Sequence, residues 1–321
     1  METFWGGTVM ALDRRMALME HFGPVPFLTD GGLETHLVFA DGLDLPQFAA
    51  FPLLRTDAGR QALTRYFAGF LDEAEALNMG FVLDTPTWRA SAGWGARMGW
   101  TAEDIDAVNR EAVEFAVALR QGRQGEVLVN GVVGPHGDAY RPETVFTADE
   151  AEDYHRRQVR VLAEAGVDLV TAVTISSTGE AIGIARAARA AGVPVVLSFT
   201  VETDGRLVGG TSLAKAIAET DAATGTYAAW FGVNCAHPDH FAAELSGEHS
   251  GRIGMVRANA SRLSHGELDE ALVLDAGDPL EMSLDYVRLR QMVPGLRVLG
   301  GCCGTDLAHV AAIGQRFCLR E

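Results

Sequence analysis

Eight short apolar runs, each followed by a longer stretch of helical period, limit what this chain can fold into. The runs cover residues 26–30, 80–85, 127–133, 169–173, 194–199, 230–234, 253–258 and 297–301. They are rich in Val, Leu and Phe, the pattern of buried strands. Between them, residues 58–77 carry Leu63, Phe67, Phe70 and Leu77 on one stripe, and residues 104–120 repeat Val108, Ala112, Phe115 and Leu119. A helix over 148–165 starts after Thr147, with Glu150 placed to complete its cap. Another over 180–191 stops at Gly192. Eight buried parallel strands with a crossover after each predict a single (β/α)8 TIM barrel over residues 24–321, with residues 1–23 as an N-terminal extension packed on it. The alternative is a doubly wound open sheet. It would carry a glycine-rich phosphate loop after the first strand, and Asp30-Gly31-Gly32-Leu33-Glu34-Thr35 lacks that spacing.

A barrel of this kind places its chemistry where the strands end. Those ends read Asp30-Gly31-Gly32, Asp84-Thr85-Pro86-Thr87, Gly134-Pro135-His136-Gly137, Thr174, Glu202, Asn234-Cys235, Arg257 to Asn259, and Cys302-Cys303. Three cysteines thus fall on one rim, two of them in the frame Gly300-Gly301-Cys302-Cys303-Gly304-Thr305. Neighbouring residues on a continuing strand face opposite ways, so the flanking glycines are needed to turn both sulfurs to one point. Three thiolates suit a zinc ion that keeps a fourth position open, whereas a structural site is closed by four protein ligands. Core packing is the competing explanation for any single cysteine, and it is the one preferred for Cys318.

Composition removes several classes of function. With 43 acidic and 26 basic residues the formal charge is −17, which disfavours nucleic acid or an anionic membrane as partner. Four cysteines, two of them adjacent, do not form the framework of a small secreted domain. No basic, then apolar, leader opens the sequence, and no run approaches the ~20 apolar residues of a membrane span. The expected location is the cytoplasm and the expected partners are small molecules. Oligomeric state is left open, a homo-oligomer included.

The chain resembles the zinc-dependent homocysteine S-methyltransferase family. Asp30-Gly31-Gly32 with Glu34-Thr35, Gly232-Val233-Asn234-Cys235, and the cysteine frame at 300–305 carry the resemblance, which spans roughly residues 25–316. It implies that Cys235, Cys302 and Cys303 bind Zn2+, and that Asp30 and Gly31 help to hold an amino-acid substrate. The chemistry is consistent. A free alkyl thiol is mostly protonated at neutral pH, and ligation to zinc removes that proton. Three protein thiolates keep the bound sulfur electron-rich, and the protein then orients and desolvates two reactants.

One departure concerns the acceptor. Family members end the fourth strand in a glutamate that meets the substrate ammonium, and here Val173 stands in its place. An ammonium buried without a partner is costly, so Glu202 or Asp84 is expected to substitute, or the acceptor is not homocysteine. Thr85 and Arg89 lie in a segment that resembles the family's threonine-rich second strand end. Betaine-using members carry an aromatic side chain where Arg89 stands, so a cation here disfavours a quaternary ammonium donor. Arg89 would also suit a substrate carboxylate. Asn234 either braces the metal site or is structural. His136, His237 and His265 are expected to be hydrogen-bonded loop residues, and Trp88, Trp94 and Trp100 packing residues.

The resulting expectation is a zinc-dependent methyltransferase that moves a methyl group from a sulfonium donor, S-methylmethionine or S-adenosylmethionine, to homocysteine and so makes methionine. The substrate contacts expected are Asp30, Gly31, Thr85, Arg89, Glu202 and Asn234. Rival readings are the same chemistry on another thiol or selenol, or a zinc-binding protein without turnover. A redox dithiol is disfavoured, because vicinal cysteines bridge only through a strained ring.

Overall fold

The computed structural model describes residues 16–318 other than 143 and 272. The first fifteen residues of the expected extension lie outside the described residues. Eight parallel strands close into a barrel in chain order: β1 Phe27–Leu28, β2 Phe81–Asp84, β3 Val127–Val133, β4 Leu169–Ile175, β5 Val195–Phe199, β6 Trp230–Asn234, β7 Ile253–Ala258 and β8 Val298–Gly301. The closing pair is β1 with β8, Phe27 against Val298. Helices follow the strands, among them Asp57–Ala76, Ala102–Arg120, Ala148–Ala165, Thr178–Ala191, Leu213–Thr224, Pro279–Met292 and Leu307–Phe317. The expected single TIM barrel is what forms. Among the described residues no helix is long and apolar enough to cross a membrane.

Local chemistry starts and stops these helices. The Thr147 hydroxyl accepts the Glu150 N–H while the Glu150 carboxylate accepts from Thr147, a reciprocal cap. Gly192 closes Thr178–Ala191 in the left-handed region, at φ 66°.

Side chains alternate across each strand, and the inward ones form layers. At the N-terminal end Phe27, Val82, Leu128, Leu169, Val196, Trp230, Met255 and Val298 make a small apolar cluster, one residue from each strand, joined by Leu18. Phe22 adds its ring 4.7 Å from Phe27 and 4.9 Å from Trp230. The main core lies outside this layer, between barrel and helices. Two positions farther along come polar side chains. The Thr171 hydroxyl donates to Asn130 at 2.9 Å, and the Asn130 amide donates to Asp84 at 2.7 Å. Above them opens a cavity of about 430 Å³.

Candidate active site

β8 ends at Gly301, and Cys302 and Cys303 fall in the turn beyond it. That turn is held from two sides. The Cys302 N–H donates to the Ala258 carbonyl at 2.9 Å, and the Thr305 hydroxyl donates to the Cys302 carbonyl at 2.7 Å. Gly304 sits at φ 80°, which an L side chain rarely adopts. The loop after β1 presses on the same turn. A Cβ on Gly31 would stand 2.6 Å from the Thr305 carbonyl oxygen, and one on Gly32 would stand 2.6 Å from that of Cys302. Cys235 leaves β6 at φ 53°, and its N–H donates to the Arg257 carbonyl at 3.1 Å.

These turns bring the three sulfurs together, all within 4.8 Å of one another. Cys235 and Cys302 are joined as a disulfide, with Cα atoms 5.4 Å apart, and Cys303 stands beside it. The bond links the β6 and β8 rims rather than the vicinal pair. Three cysteine sulfurs at this spacing fit a thiolate-binding ion such as zinc once the pair is reduced, because the ligand form is the thiolate. Among the described residues they form the metal-capable cluster.

β4 supplies a brace. Its pairing with β5 shifts between Ala172 and Ile175, and Thr174 adopts φ 62°, strained for a β-branched residue. Asn234 fixes that turn: its amide oxygen accepts the Thr174 N–H at 2.8 Å and its amide nitrogen donates to the Thr174 hydroxyl at 2.9 Å. The hydroxyl lies 3.8 Å from the Cys235 sulfur as a donor. Val173 lines the cavity and is 8% exposed.

The floor is an ionic network. Arg257 pairs with Asp84 and, at 2.5 Å, with Asp30, whose second oxygen accepts the Tyr66 hydroxyl at 3.0 Å. Burial pushes the Asp30 carboxyl up and Arg257 pulls it down, leaving it at about 6. Arg257 itself is raised by its two carboxylates, which outweigh its burial.

Arg89 forms part of the wall. Its guanidinium lies 4.5 Å from the ring centre of Trp88 and 4.0 Å from that of Trp94, and it donates to the Gln47 carbonyl. Its Nε is buried with no partner among the described residues, as is the amide oxygen of the wall residue Asn259. Glu34 also lines the cavity, and burial lifts its carboxyl to about 7. Tyr140 stacks on His265 with ring centres 3.9 Å apart. Burial holds His265 at about 4, so it is neutral at pH 7.

Of the expected substrate contacts, Asp30, Gly31, Thr85, Arg89 and Asn234 line this cavity with the three cysteines. Thr85 is committed to the wall, its hydroxyl 2.7 Å from that of Thr87 while it accepts the Val132 N–H at 3.1 Å. Glu202 is not among the lining residues. It sits in a tight turn beyond β5, where its N–H donates to Arg206 at 2.8 Å and its carbonyl accepts from Gly205 at 2.9 Å. Asp84 does face the cavity, but Arg257 already occupies it. The histidines are hydrogen-bonded in loops: His136 to Glu180, His237 as the cap of Pro238–Phe241, and His265 to the Val201 carbonyl. In the sequence Arg257 shows only as a strand-end residue, and Glu34 only as part of a motif. A cation in the otherwise apolar 253–258 run was a usable signal, since a buried charge needs a counter-charge.

The homocysteine S-methyltransferase family model matches residues 27–317. A selenocysteine Se-methyltransferase of Brassica oleracea var. italica is 31% identical over 267 residues, 75% of this chain and 76% of the relative. A homocysteine S-methyltransferase of Escherichia coli K12 is 26% identical over 246 residues, covering 72% and 78%. In structure, the homocysteine methyltransferase MmuM from Escherichia coli superimposes with a TM-score of 0.75 in its oxidized form, at 22% identity over 94% of this chain and 99% of that one. Its metallated form gives 0.73 at 23% identity, over the same shares. With a family model spanning nearly the whole described barrel, the chain belongs to the homocysteine S-methyltransferase family.

Proposed function

We propose that this protein is a zinc-dependent thiol methyltransferase that transfers a methyl group from a sulfonium donor to homocysteine. The observation that carries the reading is the meeting of the Cys235, Cys302 and Cys303 sulfurs within 4.8 Å at the rim of a closed-bottomed cavity. These three side chains would hold the zinc ion in their reduced state. When bound, zinc supplies the Lewis acidity that lets an alkyl thiol lose its proton near neutral pH.

The remaining work falls to the chain's own groups. The acceptor sulfur forms a bond to the methyl carbon as the carbon–sulfonium bond breaks. That electron pair returns to the donor sulfur, which becomes a neutral thioether. The acceptor's thiol proton leaves to solvent. No side chain takes a proton in the transfer, so catalysis is alignment and exclusion of water. Thr174 and Asn234 fix the direction of the Cys235 sulfur. Arg89, with a buried unpaired donor in the wall, is placed to take a substrate carboxylate. Its guanidinium covers the faces of Trp88 and Trp94, so these rings do not offer an aromatic cage to a quaternary ammonium. That favours S-methylmethionine or S-adenosylmethionine as donor.

The test is metal quantification and turnover on protein kept reduced. One zinc per chain and conversion of homocysteine to methionine with S-methylmethionine are expected. Alanine at Cys235, Cys302 or Cys303 should remove zinc and at least ~10³-fold of activity with the circular dichroism of the barrel retained. Full activity in any one of these variants would sink the proposal. A selenol or another thiol is the second reading, favoured by Val173 in the wall and by the similarity to a selenocysteine Se-methyltransferase of Brassica. Turnover of selenocysteine with homocysteine inert would select it.

A further inference from the structure

We propose that Glu34 receives the ammonium group of the amino-acid acceptor and so selects an α-amino thiol over a thiol without the amine. The inference rests on the methyl-transfer reading above. It follows from an account of the carboxylates that line the cavity: Asp30, Glu34, Asp84, Asp138 and Asp275. Asp30 and Asp84 share Arg257, and Asp84 also accepts from Asn130. Asp138 accepts the N–H groups of Tyr140 and Arg141 at 2.8 and 3.0 Å. Asp275 accepts the Ser261 hydroxyl at 2.6 Å and the Gly277 N–H at 3.2 Å. Glu34 alone among them takes no ion pair and no hydrogen bond from another described residue; its contact is with its own backbone N–H.

Position agrees with this. Glu34 stands in the first turn of the helix Leu33–Phe39. Two residues before it, Gly32 abuts the carbonyl of Cys302, so this helix begins against the cysteine turn. An acceptor whose sulfur lies at the three cysteines therefore has its amino-acid end within reach of this helix start. Arg89 acts on Glu34 electrostatically without forming an ion pair with it among the described residues. The wall thus offers an uncommitted anion and an unpaired cationic donor, Arg89 Nε. A zwitterionic α-carbon brings both opposite charges at once. Burial destabilises the Glu34 carboxyl as an anion. An arriving ammonium would remove that penalty.

The experiment compares wild type, Glu34→Gln and Glu34→Asp as zinc-loaded, reduced protein on L-homocysteine and on 4-mercaptobutanoate, which keeps the thiol and carboxylate but lacks the amine. Glu34→Gln should raise the homocysteine KM, and its Kd by calorimetry, by roughly 10- to 100-fold. Its kcat should stay within about twofold, and the KM values for 4-mercaptobutanoate and for the donor should not move. Glu34→Asp should fall between. An unchanged homocysteine KM, an equal loss with both acceptors, or a rise confined to the donor KM would overturn the assignment. Wild-type protein that methylates 4-mercaptobutanoate but not homocysteine would also overturn it. Wild-type protein inert on every thiol would bring down the methyl-transfer reading itself, and this assignment with it.

Discussion

Arg257 places one positive charge between two carboxylates in a part of the barrel from which water is largely excluded. Replacing one partner of such a network leaves charge buried without compensation, which costs about 3–5 kcal/mol. Arg257→Met should therefore lower the unfolding free energy by that amount at pH 7. Because burial already pushes the Asp30 carboxyl up and losing Arg257 removes the charge that pulls it down, the stranded Asp30 can be neutralised by a proton, and the deficit should shrink toward pH 5. Urea unfolding at the two pH values checks this, and a variant as stable as wild type at pH 7 would count against the network. At this scale the sequence was legible where backbone chemistry left a mark. Glycines framed Cys302 and Cys303, and a strand ending in Asn234-Cys235 pointed to the same rim. Glu202 was misplaced because its direction is set by the turn to Arg206, a feature of the folded loop that composition does not record. Arg257 was visible as a charge, but its partners, Asp84 at the end of β2 and Asp30 just beyond β1, lie 173 and 227 residues away in sequence.

Among the elements, β4 and the helix after it show how a strand end becomes a site. Periodicity ends the strand at Val173, whereas the structure carries it to Ile175 through the irregular turn at Thr174. No side-chain pattern announces a positive φ at a threonine. It is imposed by Asn234 from two strands away. The helix Thr178–Ala191 performs a second task through Glu180, which is 2% exposed. Its carboxylate accepts the His136 N–H at 2.7 Å, the His136 ring at 3.0 Å and the His155 ring at 2.9 Å, and so ties down the loop after β3. Burial opposes ionisation of Glu180, but the two histidines outweigh it and hold the group at about 2, against 4.5 in an unfolded chain. The stability from this shift, roughly 3 kcal/mol, is present above pH 4.5 and is lost as pH falls from there toward 2. His136 acts with the opposite sign. Its pKa is raised by Glu180 against its own burial, so its share is complete below 6.5 and fades as pH rises through the folded value. Glu180→Gln should flatten the acid limb between pH 4.5 and 2 in a thermal-midpoint profile; an unchanged limb would show that the anchoring lies elsewhere.

Across the whole molecule, the apolar seal and the candidate site occupy opposite ends of the barrel. The apolar layer of one residue per strand, with Leu18 and Phe22 beneath it, lies at the N-terminal end, and the cavity with the cysteines lies at the other. Leu18 is 4% exposed, so Leu18→Ala should cost about 2–3 kcal/mol. Its kcat and both KM values should match wild type below the unfolding range, as measured by denaturant titration beside steady-state kinetics. A loss of kcat without a loss of stability would contradict this division. The barrel itself was readable in advance, because each buried strand demands an apolar run and each crossover demands a helix. The layering inside it was not, since period-two alternation marks which residues point inward without saying which of them are neighbours around the ring.

Among the described residues the apolar layer seals the lower end of the barrel, and the cavity lies at the cysteine rim. On the proposed methyl transfer, two substrates and two products would pass one another through that rim. An acceptor bound at the cysteines would then enter ahead of its donor and leave behind the spent donor, so traffic, as well as chemistry, would set the order of events in a turnover.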